Sequence, residues 1–107
     1  MKKINFYRTK NGQKPFIEWL KKVPFQEEQK IDAYIKRVAL GGSKKNVSPV
    51  GESIYEIKID YGPGIRVYFG IDKDSLILLG GGYKKTQFMD ILEAKKYWRD
   101  YETSGKL

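Results

Sequence analysis

The feature that most narrows the fold is a change of period in the second half of the chain. Tyr55, Ile57 and Ile59 alternate with Glu56, Lys58 and Asp60. After the turn Asp60-Tyr61-Gly62-Pro63-Gly64, Ile65, Val67, Phe69 and Ile71 alternate with Arg66, Tyr68 and Gly70. Side chains two apart share a face of a strand, so the pattern predicts a β-hairpin with one apolar and one polar face. Asp72-Lys73-Asp74 then leads into Leu76-Ile77-Leu78-Leu79, which is apolar on both faces, as a central or doubly covered strand is.

An apolar sheet face needs cover, and helical patterns flank the hairpin. Pro15 suits a first helical position. Phe16, Leu20 and Val23 recur behind it with Ile17 alongside, Glu18 and Lys22 form an i,i+4 pair, and Pro24 stops the helix. Ile31, Tyr34, Ile35 and Val38 stripe a second helix that has Glu27 and Glu28 in its first turn and Gly41-Gly42 at its end. The short link at Pro24 predicts an antiparallel pair of helices. Ile4-Asn5-Phe6-Tyr7 reads as a first strand, 43–51 as a loop, and Gly80 to Lys85 as a connector. Thr86 is placed to cap a last helix striped by Ile91, Ala94, Trp98 and Tyr101, with Phe88 and Leu92 alongside, and Thr103 to Leu107 should fray. The expected class is α+β, in the order β-α-α-β-β-β-α, with an antiparallel-rich sheet packed on helices. At 107 residues, a single domain over 1–107 is expected.

Composition limits the chemistry. The chain has no Cys and no His, so it offers no disulfide framework, thiol nucleophile or near-neutral imidazole. Neither a catalytic metal site nor a cofactor is expected, and catalysis must rest on carboxylates, Lys, Arg, Tyr or hydroxyls. The net charge of +8 points to a polyanionic or acidic partner, or serves solubility. No apolar run approaches the roughly 20 residues of a membrane span. Met1-Lys2-Lys3-Ile4-Asn5-Phe6 lacks the apolar core of a signal peptide, so a cytoplasmic location is expected.

Four hairpin side chains carry chemistry. Pairing through Gly62-Pro63-Gly64 brings Glu56 and Lys58 beside Arg66 and Tyr68. The arginine fork matches phosphate oxygens, so the patch is suited to binding and attacking a phosphodiester. The same residues also fit a solvated face laced by ion pairs. In Gly80-Gly81-Gly82-Tyr83-Lys84-Lys85-Thr86, Lys84 stands where a Walker A loop needs Gly, and no later apolar strand ends in Asp, which excludes a nucleoside triphosphatase. Lys84 and Lys85 then form either an anion site at a helix start or two surface lysines. Lys44 and Lys45 either extend a positive groove or sit in a solvated loop. Trp19 and Trp98 have faces for stacking on bases, although Trp98 lies on an apolar stripe and is expected in the core.

Taken together, Tyr55-Glu56-Ile57-Lys58-Ile59, Tyr61-Gly62-Pro63-Gly64-Ile65-Arg66-Val67-Tyr68-Phe69 and Leu78-Leu79-Gly80-Gly81-Gly82 with Lys84, Thr86-Gln87 and Asp90-Ile91 resemble the RelE/ParE toxin superfamily. Within it they resemble the phage-related, HigB-like addiction module killer group, from Phe16 to the region of Trp98. The resemblance implies a toxin held inactive by a cognate antitoxin, often one with a helix-turn-helix. RelE-like members cut mRNA in the ribosomal A site without a metal, the ribose 2′-hydroxyl attacking the adjacent phosphate. By this likeness Arg66 stabilises the transition state, Lys58 contacts phosphate and assists proton transfer, and Lys84 stabilises phosphate or leaving group. Glu56 stands where RelE carries a lysine and takes the 2′-hydroxyl proton instead. Lys44, Lys45, Tyr68 and Lys85 are expected along the RNA path. The C-terminal His of many HigB-type sites is absent, and Tyr97 and Tyr101 are available for the terminal-helix Tyr of RelE-type sites. Two alternatives stay open: a ParE-like gyrase inhibitor without nuclease activity, and a basic RNA-binding module.

Overall fold

The hairpin forms as the alternation dictates, and the rest of the chain is arranged around it. A computed structural model describes residues 1–42 and 44–105. The elements are β1 (Lys3–Phe6), α1 (Pro15–Leu20), α2 (Phe25–Ala39), β2 (Val47–Gly51), β3 (Ile54–Ile59), β4 (Ile65–Asp72), β5 (Ser75–Tyr83) and α3 (Gln87–Asp100). A 3₁₀ turn at Lys84–Thr86 joins β5 to α3, and a π-helical turn at Tyr101–Gly105 follows it. The sheet order is β1-β5-β4-β3-β2. β1 runs parallel to β5, and every other pair is antiparallel. The α+β class is as expected.

Both faces of the sheet are covered. On one, Phe16 of α1 and Ile31 and Ile35 of α2 pack against Ile57, Val67, Phe69, Leu76 and Leu78. On the other, Ala94 and Trp98 of α3 and Tyr101 pack against Ile54, Tyr68, Ile77 and Leu79. Each fully buried Leu, Ile or Phe contributes roughly 1.5–3 kcal/mol, so these two layers hold the sheet. The apolar run Leu76–Leu79 is central and doubly covered, as its composition predicts. Among the described residues, no helix is long and apolar enough to cross a membrane.

Several expectations need correction. The stretch read as a loop contains β2, an edge strand whose Pro49 and bulge near Gly51 suit a position that need not donate on both sides; Ser43 lies outside the described residues. Gly80–Tyr83 is not a connector but the end of β5. A side chain on Gly81 would overlap the Trp19 indole, and one on Gly70 the Trp98 indole, so these glycines make room for large rings rather than for a turn. The linked helices take different strands, α1 packing on β5 and α2 on β3. Phe88 and Leu92 lie on the exposed side of α3. Instead of fraying at Thr103, the chain continues helically to Gly105, and the Thr103 hydroxyl donates to the Arg99 carbonyl at 3.0 Å; 106–107 lie outside the described residues.

Candidate active site

The register builds the cluster. Lys58 stands opposite Arg66 and Glu56 opposite Tyr68, while Arg66 also faces Gly82 and Tyr68 faces Gly80 on β5. Glu56 and Arg66 are thus diagonal neighbours on one face. That face was expected in solvent, yet Glu56 is 7% exposed, Arg66 5% and Tyr68 0%. The start of α3 covers it. Gln87 Nε2 donates to Glu56 Oε2 at 2.7 Å. Asp90 lies over Gly82, where a side chain would collide with its carboxylate. It also accepts the Thr86 hydroxyl at 2.6 Å, so Thr86 stands at the cap position without capping through its side chain.

Arg66 is the unusual member. Its Nε lies 3.7 Å from Glu56 Oε1, close enough for charge attraction but too long for a hydrogen bond. The Nε is buried with no hydrogen-bond partner among the described residues. Among the described residues, Nη1 makes only a long bond of 3.4 Å to the Ile65 carbonyl. A buried donor without an acceptor costs about 1–3 kcal/mol. The cation is therefore buried with donor capacity left over. Burial, then the Glu56 and Asp90 carboxylates, push the Tyr68 phenol well above the ordinary tyrosine range, which keeps it neutral.

Three exposed lysines border this buried pair. Lys58 emerges from β3 beside it. The Lys84 backbone N–H donates to the Gly64 carbonyl at 2.8 Å. Lys84 Cβ and Arg66 Nη1 both lie within 3.4 Å of the point a Cβ on Gly64 would occupy. Lys84 therefore sits at the outer end of the guanidinium, and exposed Lys85 follows it. Glu56, Lys58 and Arg66 adjoin by register, and Lys84 approaches Arg66 through Gly64. Among the described residues, no three His, Cys, Asp or Glu side chains gather to hold a metal ion.

The other candidates lie elsewhere. Tyr68 has no exposed surface with which to meet RNA, because α3 covers it. Lys44 lines a groove with Val47, Tyr55 and Phe69 on the α2 face, opposite the cluster. Lys45 is exposed next to Asn46, whose carbonyl accepts the Lys58 N–H at 2.8 Å. Trp19 is half-buried over Gly81 rather than free for stacking, and Trp98 is core. The Tyr97 hydroxyl donates to Glu93 at 2.8 Å and that of Tyr101 to Asp72 at 2.6 Å. Since α3 rises about 1.5 Å per residue, Tyr101 stands roughly 20 Å along it from Gln87. Sequence reasoning missed Gln87 and Asp90. Their signal is a polar start to an otherwise apolar stripe, for Gln87, Asp90, Ala94 and Trp98 recur at helical spacing.

Two comparisons with known proteins bear on this site. The family model described as phage-derived protein Gp49-like (DUF891) matches residues 18–101. An uncharacterized protein of Haemophilus influenzae is 42% identical over 82 residues, which cover 75% of this chain and 82% of that protein. The matched span contains the entire Glu56–Arg66 cluster and its α3 cover.

Proposed function

The chain belongs to the phage-derived Gp49-like family, a RelE/HigB-type toxin family of toxin–antitoxin modules, and from that premise we propose that it is a ribosome-dependent mRNA endonuclease. One observation carries this reading. Arg66 is buried in the sheet between Glu56 and the exposed Lys58 and Lys84, and its Nε has no acceptor among the described residues. A cation held in place with donors to spare suits negative charge that develops during reaction, because little reorganisation is needed when it appears.

The proposed chemistry needs no group beyond the chain and the substrate. The ribose 2′-oxygen attacks the adjacent phosphorus, and the bond from phosphorus to the 5′-oxygen breaks. The products are a 2′,3′-cyclic phosphate and a 5′-hydroxyl. Glu56 accepts the 2′-hydroxyl proton, Arg66 and Lys58 hold the phosphate oxygens, and the Lys84 ammonium gives the leaving 5′-oxygen the proton that makes it a hydroxyl. In the structure described, one Glu56 oxygen takes the Gln87 amide and the other faces Arg66. A phosphate entering beside Lys58 and Lys84 competes for Arg66 and frees that second oxygen to act as base. The cognate antitoxin is proposed to mask this basic mouth, and the cytoplasm is the proposed place of action.

Primer extension on a reporter mRNA after induction tests the proposal. Translation-dependent cuts in phase with codons are expected, and they should vanish with Arg66→Lys, which keeps the buried charge but loses the fork. Growth arrest with DNA damage and intact mRNA would instead place the protein among gyrase inhibitors.

A further inference from the structure

Phe88 is an aromatic residue that the fold does not use. Most aromatic side chains stack on one another or carry a cation over the ring, and Tyr68 is fully buried. Phe25 is exposed but lines the groove between α1 and α2. Phe88 has no ring or cation contact among the described residues, and it is 74% exposed. Its place in the chain is specific. The residue before it reaches Glu56 through the Gln87 amide, and Lys84 and Lys85 stand in the turn just ahead. Phe88 thus belongs to the first turn of α3, the turn that covers the Arg66 cluster.

We propose that Phe88 is a stacking platform for a nucleobase of single-stranded RNA, at a subsite next to the phosphate held by Arg66, Lys58 and Lys84. The proposal rests on reading that cluster as an RNA site. A nucleotide joins a flat apolar ring to an anion, and the start of α3 offers the complement of both: an exposed phenyl ring one turn after the exposed Lys84 and Lys85. Cationic tracks with aromatic faces bind single strands in this way, with little dependence on base identity. Phe88 therefore adds affinity and holds the strand in position rather than choosing a sequence. Met89 and Leu92, 64% and 46% exposed, continue the apolar surface along α3, and exposed Lys85 and Lys96 border it.

The test uses the full chain and a fluorescein-labelled single-stranded RNA of about ten nucleotides, within the range such sites span. Every 2′-hydroxyl is methylated, so no arm depends on cleavage. Phe88→Ala should weaken binding roughly tenfold with an unchanged melting temperature, because the ring lies in water. Phe88→Trp should restore affinity, and its indole fluorescence should be quenched on binding, less so by an oligonucleotide abasic at every position. Phe88→Leu, apolar but not flat, should bind like the alanine variant. Failure of the wild-type chain to bind the probe, or equal binding by Phe88→Ala, overturns the proposal. Wild-type binding by Phe88→Leu also overturns it and reassigns the surface to apolar protein docking. Probe binding without mRNA cleavage would defeat the nuclease reading and leave the platform standing. Cleavage without probe binding would do the reverse.

Discussion

The two faces of the sheet are covered alike but lined differently. Under α1 and α2 the contact is apolar, with Phe16, Ile31 and Ile35 meeting Ile57, Val67 and Leu78. Under α3 the contact changes character along the helix. Its later turns place Ala94 and Trp98 over Ile77 and Leu79, whereas its first turn places Gln87 and Asp90 over Glu56 and Gly82. The strands that build a core on one side thus hold an ion pair on the other. A charge buried beside a core is held more rigidly than one in water, but at an energetic cost. The first face stabilises the molecule, and the polar end of the second holds its candidate chemistry.

Substitutions can break or sharpen this contrast. The largest effect is expected from Arg66→Ala, which removes the proposed transition-state stabilisation and should lower the proposed cleavage about 10²–10³-fold. The same change strands a buried Glu56 and should cost about 3 kcal/mol in denaturant unfolding. Glu56→Gln combined with Arg66→Gln should recover most of that stability and none of the activity, which separates the two roles. On the opposite face, Ile57→Ala should cost about 2–5 kcal/mol while the residual folded protein keeps its cleavage pattern. Gly70→Ala, which drives a methyl into the Trp98 indole, should cost about 1–3 kcal/mol by calorimetry. An activity change in the Ile57 variant larger than its loss of folded protein would contradict the division of labour.

A smaller effect is expected at high pH. Burial and the bond to Glu27 push the Tyr83 phenol up to about 12, and burial and the bond to Glu93 do the same for Tyr97. Both folded values exceed the ordinary 10.0. The stability these groups contribute is therefore full below pH 10 and is lost as pH rises towards 12. Chemical denaturation across that window should show the decline, and Tyr83→Phe should reduce its slope.

Much of the fold was legible because period and packing agree. The alternation at 55–60 and 65–71 and the doubly apolar Leu76–Leu79 read as sheet, and the stripes of α2 and α3 read as helix, and each element formed. β2 was hidden because Ser48, Pro49 and Gly51 carry no strand preference and an edge strand borrows its order from its neighbour. The glycines of β5 were hidden because the residue that signals a turn is also the one that admits Trp19 and Asp90. That Glu56, Lys58 and Arg66 share a face was legible from the hairpin register, whereas Lys84 joined them only through the family resemblance. The burial of Glu56 and Arg66 was not legible, since alternation shows which side chains share a face but not what lies over that face. Tyr68 was misplaced for the same reason, and Lys44 because a loop before a strand can pass on either side of the sheet.

The buried Arg66 pair is the proposed working end of an mRNA nuclease. The most direct measurement compares 5′ ends on translated mRNA for the wild-type chain and for the Glu56→Gln, Arg66→Gln pair, with melting curves taken on both. Codon-phased ends are expected for the wild type, none for the double variant, and the two melting curves should be closely similar. Undiminished cleavage by a folded double variant would contradict that assignment.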